Sequence, residues 1–379
     1  MSGAAVEDNY ACRPLVCSTL LPGPEPEDPS THDCGYARRN SWWADYTAAP
    51  LVWSRPAKAV VVALFDDGAA VDHSDLRNQL WTNEREARGR PGIDDDGNGH
   101  VDDIHGWDFI DSDPNVAPEG QCAQRPSHGT FMASLIAAQR NNGIGIAGAG
   151  AGSVKLMVLR ITGCGGPADR FDPERIRQAL NYAVTMGAQI LSFSAHWVQT
   201  TPALDTAFAE AADSLTSPHP AIIVASVPNK GEPKAGYPAA YEFRRVIRAI
   251  PVGDQDAIAP GTSPAPAGLN LAAPSACILG ATSAPDHYAI AGGSSNSTAI
   301  LSGLLAGIWS QPPYATLGPE RFVERVVQAR MMESPRRTAP GKRAPYFEGV
   351  PIADACLLDP SGRFAQVCKT RPRLEEGRR

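Results

Sequence analysis

The run AVVVALFDDG, residues 59–68, constrains the fold of this chain more than any other segment. Its apolar residues, Ala59 to Phe65, are consecutive rather than alternating, so a strand built from them must be covered on both faces. Such strands belong to parallel sheets, whose crossover connections lay helices over each face. This strand would end on Asp66, and the carboxyl edge of an open α/β sheet is where ligands collect. A second run of the same kind, AIIVASV at 221–227, stops just before Pro228 and Asn229.

Two other short segments give that carboxylate something to do. PSHGTFMAS, 126–134, holds His128, and GGSSNSTAILSG, 292–303, holds Ser295. A serine hydroxyl is a poor nucleophile until a base takes its proton, and an imidazole base needs a carboxylate to fix its tautomer and stabilise its charged form. Asp66, His128 and Ser295 are the residue types for those three roles. Asn229, just past a buried strand, is placed to donate to a tetrahedral oxyanion. The runs TFMASLIAA and STAILSGLLAGIW read as helices, which puts both reactive side chains at helix N-termini, where the backbone favours developing negative charge. Asp67 beside Asp66 leaves two candidates for the orienting carboxylate.

In this order the segments resemble the subtilases, the subtilisin-like serine peptidases. DDG, HGTFMAS, SVPN and GSSNSTAILSG stand where the family has DTG, HGTHVAG, AAGN and GTSMAAPHVSG. The likeness continues through DHSDL, GIDDDGNGHVDDIHGWDF, ALNYAVTMGAQILSFS, YPAAYEFRRVIRAIPVG, LAAPSACIL and FEGVPIADACLL, covering residues 41–359. It implies an α/β, three-layer subtilisin-like fold with a mainly parallel central sheet flanked by helices. It implies a serine endopeptidase acting through an acyl-enzyme, with Asp66 rather than Asp67 in the triad. The polypeptide substrate would lie as an added strand along Ser194, Ala195 and His196, with Pro228 on the opposite wall.

Departures from the family pattern are specific. HGTFMAS lacks the second histidine and the glycine, Pro228 replaces a glycine, and Ala299 replaces the proline after the serine. His196 and Trp197 stand where the family has small residues, so the cleft is expected to be narrow before the scissile bond and to prefer small side chains there. The alternative is a catalytically weak or inactive homologue that binds peptides through the same cleft.

Two stretches are candidates for structural calcium. DDDGNGHVDD places Asp94, Asp96 and Asn98 at alternate positions before Gly99, as a tight loop around a hard cation does. The closing glutamate is missing, since His105 takes the twelfth position, and Asp102 or Asp103 is left to substitute. RNNGIGIAG resembles the subtilase calcium loop, which implies Asn142, the carbonyls of Arg140, Ile144 and Ile146, and Asp75 as ligands. Solvated turns without an ion are the other reading of both.

At 379 residues, 43% hydrophobic and 20% charged, the chain can bury one large α/β core. A formal net charge of -7 argues against nucleic acid as a partner. No stretch is long and apolar enough for a membrane span, and a monomer is expected. The expected domains are a Pro-rich acidic tail at 1–40, a peptidase domain at 41–359 and a charged tail at 360–379. The segment MSGAAVEDNYACRPLVC lacks the basic start and apolar core of a signal peptide, which suggests the cytoplasm or a leader not included here. Eight cysteines, with Cys12, Cys17, Cys34, Cys356 and Cys368 towards the ends, point instead to disulfides stapling the tails in an oxidising compartment. Free thiols remain the other possibility.

Overall fold

A computed structural model of the chain describes residues 42–53, 58–123, 127–164, 171–229, 232, 234–253, 257–259, 261–285, 287–332 and 350–355. Both expected tails, the limits of the central domain, and Cys12, Cys17, Cys34, Cys356 and Cys368 lie outside the described residues.

Seven strands form one sheet: β1 (Val60–Asp66), β2 (Gly106–Asp108), β3 (Val154–Arg160), β4 (Ile190–Phe193), β5 (Ile222–Ser226), β6 (Val246–Val252) and β7 (Leu269–Pro274). Their order is β2-β3-β1-β4-β5-β6-β7, and every neighbouring pair is parallel. A small antiparallel hairpin, β8 (Ile278–Ala281) with β9 (Tyr288–Ala291), stands apart. The helices are α1 (Trp42–Thr47), α2 (Pro50–Trp53), α3 (Glu84–Ala87), α4 (His128–Ala137), α5 (Pro173–Thr185), α6 (Pro202–Ala212), α7 (Ser294–Trp309) and α8 (Pro319–Phe322). A wide helical segment, Val323–Met331, follows α8 directly. Among the described residues no helix is long and apolar enough to cross a membrane.

The consecutive apolar run of β1 has a simple cause. Val60, Val62 and Leu64 face one core, while Ala63 and Phe65 face another on the opposite side of the sheet. Helices α4 and α7 supply the first core through Phe131, Leu135, Ile300 and Leu304. Helices α5 and α6 supply the second through Ile176, Leu180, Leu204 and Phe208. Both of these start alike: the side chain of Asp172 or Thr201 caps the helix, and a proline occupies its first turn. Helix α7 is buried nearly all round, Ser295 being the one residue left partly open. It crosses α4 closely at Gly303, where an added Cβ would lie 2.6 Å from the Ile136 carbonyl oxygen.

The strand order runs outward from β1 in both directions, so the carboxyl ends of β1 and β4 form a topological switch point. The pairing of Phe65 with Phe193 sets Asp66 level with Ser194 at that edge. A disulfide joins Cys122 to Cys164, tying the segment before α4 to the one after β3. Cys277 is also disulfide-bonded.

Candidate active site

Asp66 ends β1 almost fully buried. His128 is the first residue of α4, set by its cap residue Ser127, whose hydroxyl accepts the Thr130 amide at 3.1 Å. The His128 Nδ1 lies 2.8 and 2.9 Å from the two Asp66 carboxylate oxygens. That contact places the ring proton on Nδ1 and leaves Nε2 to take another. Burial alone would lower the imidazole pKa. The charge and hydrogen bond of Asp66, then the charge of Asp67, outweigh it and push His128 up to about 9.

Ser295 sits in the first turn of α7, against the end of β4. Its hydroxyl donates to the Ser194 carbonyl at 3.3 Å, and the Ser194 hydroxyl donates back to the Ser295 carbonyl at 3.3 Å. In this rotamer Ser295 makes no hydrogen bond to His128. Asn229 follows β5 and accepts the Ser294 amide on Oδ1 at 2.9 Å. Its Nδ2 faces the same turn, 3.6 Å from where a Gly293 Cβ would stand. The four residues singled out by sequence therefore gather on one sheet edge.

The cleft residues divide. Ser194 is buried, while Ala195 and His196 are half-buried. Pro228 is buried, and its carbonyl accepts the Ser263 amide at 3.0 Å. The His196 ring packs on Gly236, where an added Cβ would lie 2.9 Å from its Cδ2, and its Nε2 is 4.0 Å from Glu232. Burial lowers the His196 pKa, with the Glu232 charge acting the other way. Trp197 departs from the sequence expectation. Its indole turns into the second core, stacked on Phe171 at 5.4 Å and set against Phe193 and Phe208. Its backbone pairs with Tyr237 in both directions, at 3.0 and 2.8 Å.

The sequence profile described as "Subtilase family" matches residues 57–346. The chain belongs to the subtilase family. It is 37% identical over 110 residues to "Subtilisin-like protease 1" of Plasmodium vivax, covering 29% of this chain and 16% of that protein. It is 29% identical to the "Major intracellular serine protease" of Bacillus subtilis over 211 residues, 54% of this chain and 56% of the relative. Identity to "Thermitase" of Thermoactinomyces vulgaris is 25% over 264 residues, 69% of this chain and 80% of the relative. The chain thus spans only a minor part of the Plasmodium relative and about half of the Bacillus one.

Two acidic clusters and one asparagine loop bear on metal binding in this subtilase. Asp108, Asp111 and Glu119 converge on the Arg160 guanidinium, so the chain supplies their cation. Carboxylate oxygens of Glu86, Asp96 and Asp103 lie within 4.8 Å of one another, and among the described residues no basic side chain bridges them. Of these the sequence had singled out Asp96 and allowed Asp103. Glu86 was missed because it comes from α3, ahead of the loop. The other two predicted ligands do different work. Asp94 folds its carboxylate over the amides of Gly97, Asn98 and Gly99, the last of which does most to lower its pKa. Asn98 donates its amide to Asp96 and Asp103 at 3.2 and 2.8 Å. Burial raises the Asp103 pKa, which three neutral donors, Tyr182, Asn98 and Asn83, only partly offset. Three clustered carboxylates without a basic partner are the hard oxygen ligands calcium takes, and an ion there would displace donors now on them: the amides of Asp95, Asp96 and Asp102 on Glu86, and the side-chain amides of Asn83 and Asn98 on Asp96 and Asp103.

The third region, the RNNGIGIAG loop, brings one carboxylate, Asp75, rather than three. Both oxygens of Asp75 already face donors: Asn142 Nδ2 at 2.7 Å, the Ile146 amide at 3.0 Å and the Tyr288 hydroxyl at 2.8 Å. Asn142 Oδ1 meanwhile accepts the Ile144 amide at 3.1 Å. Asp75 and Asn142 are brought together as the sequence suggests, but by hydrogen bonds between themselves.

Proposed function

We propose that this subtilase is a serine endopeptidase. The observation that carries the reading is the double contact of Asp66 on His128 Nδ1 at the switch-point edge where α7 presents Ser295. Ser295 Oγ attacks the peptide carbonyl while His128 Nε2 takes its proton and Asp66 holds the ring. Asn229 Nδ2 and the Ser295 amide receive the oxyanion. As the tetrahedral species collapses, His128 gives its proton to the leaving amine and an ester to Ser295 remains. Water, deprotonated by His128, then releases the acid. A rotation of the Ser295 side chain away from Ser194 is required first, and catalytic hydrogen bonds of this kind commonly tighten only once substrate is bound.

His196 against Gly236 and the buried Pro228 support a cleft closed to large side chains before the scissile bond. Incubation with a fluorophosphonate should label Ser295 alone, and a proteome-derived peptide library should be cut after small residues. Cleavage chiefly after bulky aromatic residues would remove the specificity. Absence of labelling would favour the second reading, a peptide-binding homologue with its serine held by Ser194.

Calcium, in the same proposal, sits at Glu86, Asp96 and Asp103, where it would neutralise three clustered charges and pin α3 to the acidic loop. A ligand bound only by the folded state raises stability by linkage. Millimolar calcium is therefore expected to raise the Tm and chelator to lower it. Asp96→Ala should abolish the shift and Asn142→Ala should leave it. A Tm indifferent to calcium in the unaltered protein would exclude the site.

A further inference from the structure

Asp67, the carboxylate the triad does not use, is the most buried charge of the site, at 1% exposure. It turns away from the His128 ring and onto the first turn of the helix that carries it. One oxygen accepts the Ser127 hydroxyl at 2.9 Å and the Gly129 amide at 2.7 Å, and the other accepts the His128 amide at 3.2 Å. The remaining neighbour is Cys164 Sγ at 3.2 Å, which is in a disulfide and has no proton to give. Apart from that sulfur, every polar partner is a donor, and three donors on one carboxylate suit the ionised form. A carboxylate at a helix N-terminus is also favoured by the helix dipole. Asp66 and Asp67, adjacent in sequence, hold the same histidine at its two ends, ring and backbone.

We propose that Asp67 is a positioning residue whose anionic carboxylate fixes His128 by its backbone while Asp66 fixes the ring, so that two carboxylates rather than one set the working pH of the site. The charged groups facing His128 are Asp66 and Asp67, both from the end of β1. Those facing Asp67 are Asp66 and His128, while Arg160, which pairs with Asp66 from β3, turns its guanidinium to Asp108, Asp111 and Glu119. Burial first, and then the Asp66 charge, push the Asp67 carboxyl up to about 6, so it is ionised above that pH. Its charge is then one of the causes that raise His128.

The sign follows directly. A general base works when neutral, so activity rises as pH passes through the His128 pKa. Removing a facing negative charge lowers that pKa and moves the rise to lower pH. The threonine of the family's DTG pattern carries no such charge.

The test is an NMR titration of the imidazole resonances in the full chain, with His128→Gln for assignment, in the unaltered protein, Asp67→Asn and Asp67→Thr. The pH dependence of fluorophosphonate labelling is measured alongside. The His128 midpoint is expected near about 9 in the unaltered protein. It should fall by about one unit or more in the variants, with the acid limb of labelling moving equally. An unchanged midpoint in a folded variant would overturn the proposal. So would a midpoint at or below about 6.5 in the unaltered protein. Should Asp67→Asn not fold, Asp67→Thr gives the same reading. Only the labelling arm rests on the peptidase reading: displaced titration without labelling sinks that reading and keeps Asp67, while labelling with undisplaced titration does the reverse.

Discussion

Ser295→Ala and His128→Ala are each expected to lower kcat on a cleaved peptide by about 10⁶, with the double variant no worse than either. The non-additivity has a physical reason. Without the hydroxyl there is no nucleophile for His128 to activate, and without the imidazole the hydroxyl keeps its proton, so each change removes the whole covalent route. Asn229→Ala leaves that route in place and removes one donor to the oxyanion, so it should lose only about 10²–10³. The ordering is the discriminating result. Equal losses at Asn229 and Ser295 would mean that the two act in a way the geometry does not describe. Ser295 is partly open, and the one hydrogen bond of its hydroxyl, to the Ser194 carbonyl, is long at 3.3 Å. The Ser295→Ala protein should therefore unfold within about 0.5 kcal/mol of the parent. Retained hydrolysis by this variant would remove the assignment of Ser295.

The sequence made the scaffold legible where one local signal decided the outcome. Ala59 to Phe65 had to be covered on both sides because no residue in the run was polar, and β1 does feed two cores. The helices after His128 and Ser295 followed from long, largely apolar runs broken only by small residues. Less legible was whatever depended on segments meeting from a distance. Glu86 reaches the acidic loop only because α3 packs beside it, donating nothing to a spacing pattern. Trp197 was placed by the pairing of its backbone with Tyr237, forty residues later, beyond the end of β4. At Asp75 the residue pair was foreseen, but the Tyr288 hydroxyl arrives from the β8–β9 hairpin, more than two hundred residues later. Asp67 looked like a rival to Asp66 because it is a second carboxylate beside it; its target became visible only with the start of α4 in view.

Gly129→Ala should reduce kcat/KM by about 10²-fold although the residue bears no functional group. Alanine in a helix is ordinarily favoured over glycine by about 1 kcal/mol. Here the space is missing. A Cβ on Gly129 would stand 2.0 Å from the Gly68 carbonyl oxygen, 2.8 Å from Asp67 Oδ1 and 3.0 Å from the Asp66 Cβ. All three belong to the end of β1 and its turn, and the first is backbone that cannot rotate aside. Relief requires the N-terminus of α4 to withdraw, which overpacking studies put at roughly 1–3 kcal/mol. Since His128 heads that helix, withdrawal lengthens the 2.8 Å contact with Asp66 and loosens the Asp67 bond to the Gly129 amide at 2.7 Å. A displacement of about 1 Å in a reacting group is enough for the expected loss. Gly253→Ala is the matched control, because nothing lies within 4 Å of a Cβ there. It should leave both Tm and kcat/KM unchanged. If Gly129→Ala behaved like this control, the carboxylates would not be gripping the helix as closely as the distances say, and the seat assigned to His128 would have to be abandoned.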